Sequence, residues 1–480
     1  MSGRLPRRRL HAAALACALA LAGAAGCAAR RTDAPPVEMP AAFSEPGTQA
    51  APAKWWTALG DPQLDALVEQ ALAGNLDLKS TWDRLDQAAA LARQAGADLY
   101  PSVTAAAAAT RTRTDTGNDP AVYANEFGLG VAASYEVDLW GRVRATADAA
   151  ALEVRATRED LAAAAMTLAA QVAATWYGLV ERTGQLDLLD QQIRTNTDYL
   201  ELVTLRFRRG KVSAVDVLQQ RQLVEATRAE RVQVESSAKV LAHELAVLLG
   251  RPPAAEVAGG AGAGRLPALP PLPATGLPSA LLQRRPDTRG AMLRLQEADR
   301  GVAAAVADQF PRISLSAGAE TTALEARNLF DNWLADVAAN LTAPLLDGGR
   351  RRAEVDRTRA VAAERLHDYG RAALAALREV EDALVQETHQ ARYLASLDQQ
   401  LDLSAKALAQ TRGQYVNGTL DYLRVLAALQ SHQDLQRRRL QAAREWVGFR
   451  IDLYRALGGG WEMARPAEGP GGAPADEAAR

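Results

Sequence analysis

A proline-free run occurs twice in this chain, from Gly141 to Gly250 and, displaced by 208 residues, from Gly349 to Gly458. No proline lies between Pro120 and Pro252 or between Pro344 and Pro466, and proline is the residue that most reliably stops a helix. Each run therefore predicts one very long helix, a sharp turn and a returning helix. The turns fall at Arg208-Arg209-Gly210 and Val416-Asn417-Gly418, and the return helices over Val212 to Leu249 and Thr419 to Leu457. At 1.5 Å per residue a helix from Arg142 to Arg209 is about 100 Å long, more than an ordinary globular domain accommodates. Late in the first helix Leu186, Leu189, Ile193, Asn196, Leu200, Val203 and Phe207 recur at alternating steps of three and four, and Leu394, Leu397, Leu401, Ser404, Leu408, Thr411 and Tyr415 repeat them. This is a heptad seam with one polar position shared by both copies.

Ahead of each run the period changes. Phe127, Leu129, Val131, Ala133, Tyr135 and Val137 alternate with Glu126, Gly128, Gly130, Ala132, Ser134 and Glu136, and Trp333, Ala335, Val337, Ala339 and Leu341 repeat the alternation in copy two. Such spacing predicts strands with one apolar face and one small or acidic face. With weaker partner strands beginning at Ser102 and Arg312, two hairpins are expected, over 102–138 and 312–345. Aromatic residues near the strand ends suit a membrane interface, which makes Phe127, Tyr135 and Trp333 candidate interfacial anchors, with Trp140 a further candidate. Four strands cannot close a membrane barrel, whose smallest form has about eight, so the chain is expected to oligomerise and hide its strand edges.

The segment 1–26 carries Arg4, Arg7, Arg8 and Arg9 ahead of an Ala/Leu run and ends in Ala24-Ala25-Gly26-Cys27, an export signal. It resembles a bacterial lipoprotein signal, in which Cys27 is cleaved to the front and acylated with palmitate; simple cleavage is the alternative. The mature chain keeps that one cysteine. No stretch after the leader is read as a spanning helix, so a crossing of a membrane has to be made with strands. Residues 27–54 are expected as a tether without periodicity, 55–250 as the first repeat, 251–280 as a Pro/Gly-rich linker, 281–458 as the second repeat, and 459–480 as a disordered tail.

No catalytic constellation stands out, and no reaction, cofactor or metal site is expected. The histidines His243, His367, His389 and His432 are dispersed on helices, with no pair at ligand spacing. Gly74 to Ser80 lacks the second glycine of a phosphate loop and reads as a turn between helices. A formal net charge of −2 offers no reason to expect nucleic acid. Arg350-Arg351-Arg352 and Arg437-Arg438-Arg439 read as solvated helix faces in preference to anionic docking patches.

Several motifs occur in one order: Trp55-Trp56 followed by Asp61-Pro62-x-Leu64, Leu281-Leu282-x-Arg284-Arg285-Pro286-Asp287, Phe310-Pro311 before a strand, Asp347-Gly348-Gly349-Arg350-x-x-Ala353 and Ala456-Leu457-Gly458-Gly459-Gly460-Trp461. Together with the duplication they resemble TolC-type outer-membrane efflux proteins, in the lipoprotein branch that includes OprM and NodT-like members. The resemblance covers about Trp55 to Trp461. It implies a mainly α fold with a membrane β-barrel: a homotrimer whose twelve-stranded barrel in outer-membrane lipid continues into a periplasmic α-helical barrel with an equatorial belt. Such a protein is a passive exit duct for small molecules, working with a periplasmic adaptor (membrane fusion) protein and an inner-membrane pump. The resemblance further implies a gate at the periplasmic turns, held by a hydrogen bond from Tyr415 to Asp216. Positions that carry acids in many members are Arg424 and Ala427 here. Arg424 is expected to pair with Asp216 or to line the mouth, and Leu423 to form a constriction. A duct for type I protein secretion and a non-conducting, lipid-anchored periplasmic coiled coil or adaptor are the alternatives.

Overall fold

The computed structural model describes residues 37–49, 52–117, 119–253 and 265–459, with residues 463 and 465. The export signal, the expected acylation at Cys27 and nearly all of the expected tail lie outside the described residues. Helices α1 (Pro62–Gly74) and α2 (Leu76–Ala97) lead to strands β1 (Ser102–Thr114) and β2 (Val122–Val137) and then to the long hairpin α3 (Arg142–Arg208) and α4 (Ala214–Leu248). The order repeats with α5 (Pro278–Arg284), α6 (Pro286–Ala307), β3 (Arg312–Ala323), β4 (Leu334–Thr342), α7 (Arg350–Val416) and α8 (Tyr422–Leu457). Both α3 and α7 run for 67 residues. Two compact units result: residues 90–153 and 292–369 form one, and residues 37–89, 154–291 and those from 370 onward form the other.

The first unit holds a single antiparallel sheet in the order β1-β2-β3-β4. Its central pairing joins the two repeats, with Val137 opposite Ile313 and Phe127 opposite Ala323. Local periodicity carries no information about this contact, since the paired strands are separated by the whole first helical hairpin. Register then stacks like on like. Val103, Ala133, Ala317 and Val337 form one rung, Ala105, Val131, Ala319 and Ala335 another, and Tyr135, Leu315 and Ala339 a third. The alternate rungs carry Thr104, Ala132, Gly318 and Asp336, or Glu136, Ser314 and Asn340. One face is thus apolar and the other small and acidic. Val337 on the apolar face is 86% exposed, and among the described residues β1 and β4 pair on one side only.

Strands turn into long helices through aspartate caps. Asp138 accepts hydrogen bonds from the backbone N–H groups of Val143 (3.0 Å) and Arg144 (2.9 Å), filling donors a helix start leaves unpaired. Asp347 accepts from Gly349 N–H at 3.1 Å and pairs with Arg351, which also reaches Asp308. Arg351 is therefore committed within the chain. Trp140 donates from Nε1 to the Pro311 carbonyl (2.7 Å) and stacks on Phe310, centroids 4.8 Å apart. It clamps the corner of one repeat to that of the other while remaining 42% exposed.

In the second unit a core of Trp55, Trp56, Leu64, Val68, Leu161, Val172, Trp176 and Ile451 closes around the first repeat. Asp61 caps α1 by accepting from Gln63 and Leu64 N–H, and its other oxygen accepts from Trp176 Nε1 at 2.8 Å. α3 does contain a stretch apolar enough to cross a membrane, contrary to expectation, but 72% of it is buried inside the protein. Its alanines serve close helix packing.

The repeat is functional as well as formal. Asn75, before α2, donates to the Leu248 carbonyl at the end of α4 (3.0 Å) and accepts from Leu78 N–H. Gly74 to Ser80 is accordingly a capped helix junction. In copy two the equivalent Arg285 donates to the Ala456 carbonyl near the end of α8 (3.0 Å) and pairs with Asp287 (2.6 Å) and Glu379 (2.9 Å). Each copy thereby ties its inner helix to the end of its own return helix; the Arg-Arg-Pro-Asp motif is the charged version.

Two stretches expected to be loose are held. Phe43 in the expected tether is buried against Leu281, Val380 and Leu453, and Thr48 and Gln49 donate to the Leu272 carbonyl at 3.0 and 3.2 Å. A proline-rich segment shows no periodicity, yet one aromatic side chain is enough to dock it. Within the linker, the carbonyls of Pro270 (2.6 Å) and Pro271 (3.2 Å) accept from Arg450 Nη1. The rest of the Arg450 guanidinium forms an ion pair with Glu387, with side-chain exposures of 3% and 5%.

The seam's polar position is paired in both copies. Asn196 is fully buried, donates to Thr227 Oγ1 (3.0 Å) and Gln433 Oε1 (3.3 Å), and accepts from Gln433 Nε2 (2.8 Å). Ser404 contacts Nδ1 of the neighbouring His432 at 2.9 Å, and burial holds that imidazole below its ordinary pKa. Two apolar-seam polar residues thus read adjacent positions of α8, which sets the register of the helices. Arg437, from the second arginine run, pairs with Glu230 and Asp434.

Candidate functional site

Both hairpin turns are built the same way. α3 ends because Gly210 adopts φ +68, the left-handed conformation that costs glycine little. Its N–H donates to the Phe207 carbonyl (2.8 Å) and that of Lys211 to Arg206 (3.0 Å). In copy two Gly418 has φ +77, with Gly418 donating to Tyr415 (3.1 Å) and Thr419 to Gln414 (3.0 Å). These paired bonds are the Schellman closure of a helix end.

The return helices start differently, and this accounts for the most conspicuous mismatch between the copies. α4 is capped by Ser213: its Oγ accepts from Asp216 N–H (3.3 Å), while Asp216 Oδ2 accepts from Ser213 N–H (2.9 Å) and from its hydroxyl (3.1 Å). This is a capping box. In α8 the equivalent of Ser213 is Asp421, whose carboxylate accepts from Arg424 N–H at 3.1 Å. The acid has moved three residues, from the reciprocal position to the cap itself. Arg424 therefore stands where Asp216 does in copy one without having to complement it, and no Arg424–Asp216 ion pair forms among the described residues. Its side chain is exposed, as is Leu423.

Behind the turns Tyr199, Val203, Leu223, Tyr415, Tyr422, Val425, Leu426 and Leu429 form an apolar cluster. Tyr415 is 2% exposed and lies 5.4 Å from the Tyr422 ring. The Tyr422 hydroxyl donates to Gln220 Oε1 (2.6 Å), and burial first, then neighbouring Tyr415, Tyr199 and Asp216, push its pKa up. The implied Tyr415–Asp216 hydrogen bond is not made within the chain. Asp216 Oδ2 is engaged by Ser213, and the Tyr415 hydroxyl is buried with no hydrogen-bond partner among the described residues. A residue that sequence reasoning passed over touches Tyr415 instead: Arg206, whose guanidinium carbon sits 4.3 Å from the ring centroid. The available signal was the lack of any basic residue in the last turn of α7, against Arg206 and Arg208 in that of α3.

Phe127 and Tyr135 share the apolar sheet face, eight residues apart, about 26 Å along a strand. Trp333, immediately before Leu334, falls on the same face by alternation. Along a strand tilted by about 40° this is a rise of about 20 Å, which fits inside the roughly 25 Å apolar band of a membrane barrel. Among the described residues no group of three or more His, Cys, Asp or Glu side chains could hold a metal ion.

The outer membrane efflux protein family matches residues 67–251 and 277–459, one segment for each repeat. The chain belongs to that family. It is 34% identical over 429 residues to the pyoverdine export outer membrane protein OpmQ of Pseudomonas aeruginosa, covering 86% of this chain and 88% of the relative. Identity to the outer membrane protein OprJ of the same organism is 32%, covering 86% and 87%. The solved outer-membrane channel OprN superposes with a TM-score of 0.84 at 29% identity, covering 91% of this chain and all of that one. As an efflux protein of the outer membrane this chain is a transport component and not an enzyme. The efflux protein's two family segments coincide with the duplicated helical hairpins and the strands that precede them.

Proposed function

We propose that three copies of this efflux protein assemble, β4 of each pairing with β1 of the next, into a twelve-stranded barrel in outer-membrane lipid. The long helices continue the duct into the periplasm, with Cys27 as an acyl anchor. The observation that carries this reading is the four-stranded sheet, apolar on one face and wet on the other, with both edges free to pair. The duct is passive: a periplasmic adaptor and an inner-membrane pump complete the tripartite system and supply the energy. Its cargo is small molecules, in line with a relative named for pyoverdine export.

The turns close the duct at its periplasmic end, with Tyr415 packing the tip, Asp216 capping α4, and Leu423 and Arg424 facing the aperture. Reconstituted in a planar bilayer, the wild-type trimer is expected to conduct poorly. Asp216→Ala removes the reciprocal half of the capping box and leaves Ser213 as the N-cap, and Tyr415→Ala empties the centre of the apolar cluster; both are expected to raise conductance several-fold. Wild-type conductance in both variants would remove the gate from these residues.

A further inference from the structure

We infer that Arg206 is the latch that holds the two turns of one chain together, through the end of α7 and not through the Tyr415 hydroxyl. Arg206 Nη1 donates to the Tyr415 carbonyl at 2.8 Å and Nη2 to the Val416 carbonyl at 3.1 Å, while the guanidinium covers the Tyr415 ring. These carbonyls belong to the final turn of α7, where the helix dipole favours a cation; that of Tyr415 also accepts from Gly418 N–H and uses its second lone pair for Arg206. α7 has no basic residue of its own in that turn; the copy-two equivalent of Arg206 is Gln414. Copy one thus supplies the charge that copy two lacks, and among the described residues no carboxylate competes for it. A planar fork suits two adjacent carbonyls and an aromatic face at once, which an ammonium cannot match.

The contact is reciprocated: Arg412 of α7 lies 6.0 Å from the centroid of Tyr199 on α3. The two helix ends are therefore tied by a pair of arginine–tyrosine contacts, of which only the Arg206 one also carries hydrogen bonds. Opening the tip by moving the turns apart requires breaking it. This inference rests on the reading of the turns as the moving end of a duct.

The test uses the full-length trimer with spin labels at the exposed positions Lys211 and Asn417, diluted with unlabelled chains so that distances within one chain are read. Wild type is expected to give one narrow distribution. Arg206→Gln is expected to broaden and lengthen it, and Arg206→Lys, which keeps the charge but loses the fork, to fall between. Arg208→Gln removes a neighbouring charge whose side chain makes no such contact and is expected to stay narrow. Bilayer conductance of Arg206→Gln is expected to rise about tenfold, as loss of hydrogen bonds to a charged group would give. A wild-type distribution in Arg206→Gln trimers that assemble normally overturns the latch, and so does equal broadening in Arg208→Gln. Broadening without conductance in any variant upholds the latch and removes the channel reading on which the gate rests.

Discussion

Replacing Glu387 with alanine is expected to destabilise the helical unit by about 3–5 kcal/mol, the cost of breaking a buried ion pair by deleting one partner. Both side chains are nearly inaccessible, at 3% for Arg450 and 5% for Glu387. The guanidinium left behind would keep the carbonyls of Pro270 and Pro271 and the Tyr454 ring, 6.0 Å from its carbon, with no charge to balance it. Those carbonyls belong to the strap between the repeats, so its hold on α8 should loosen as well. The midpoint of chaotrope-induced unfolding, followed by the helical circular dichroism signal, and protease sensitivity of the strap are the measurements. The double substitution Glu387→Leu with Arg450→Met should recover most of the lost stability, since a well-packed apolar pair replaces a buried ionic one at little cost. A loss below about 1 kcal/mol for the single variant would mean that water reaches the pair.

Val131→Arg is expected to prevent stable insertion, whereas Ala132→Arg, one residue away, should be tolerated. Val131 lies midway between Phe127 and Tyr135, on the rung with Ala105, Ala319 and Ala335. A charge facing lipid at the bilayer midplane costs about 2–4 kcal/mol per chain, and a trimer incurs it three times. Ala132 shares its rung with Thr104, Gly318 and Asp336 on the face assigned to the lumen, where water and a carboxylate receive the guanidinium. The yield of heat-modifiable trimer from outer-membrane fractions separates the two. Equal loss in both variants would argue against the assignment of faces.

Most of the architecture was legible because it is written in short-range periods. Proline-free spans delimit the long helices, glycines mark both turns, and alternation separates the sheet faces, so Phe127, Tyr135 and Trp333 could be assigned together. The site was less legible. Asp216 and Arg424 look like charges set against each other at equivalent positions, but one repeat caps its helix with Ser213 and a reciprocal acid, the other with Asp421. Capping is a local code, yet its two spellings place the acid at different positions, which in the sequence alone is indistinguishable from an electrostatic difference. The docking of Phe43 is illegible in the sequence because a single docking residue leaves no pattern.

From its sequence alone this chain is determined to be a duplicated protein of long helical hairpins and two-faced strands, because helix and strand periods are properties of neighbouring residues. Its tertiary structure decided which elements meet: β2 against β3, Asn75 and Arg285 against the ends of α4 and α8, Arg206 against the carbonyls of Tyr415 and Val416. Those contacts join residues far apart in the chain, and no period along the sequence encodes them. They depend on how the helices and strands pack, which also left Arg206 facing a helix end that lacked a cation of its own.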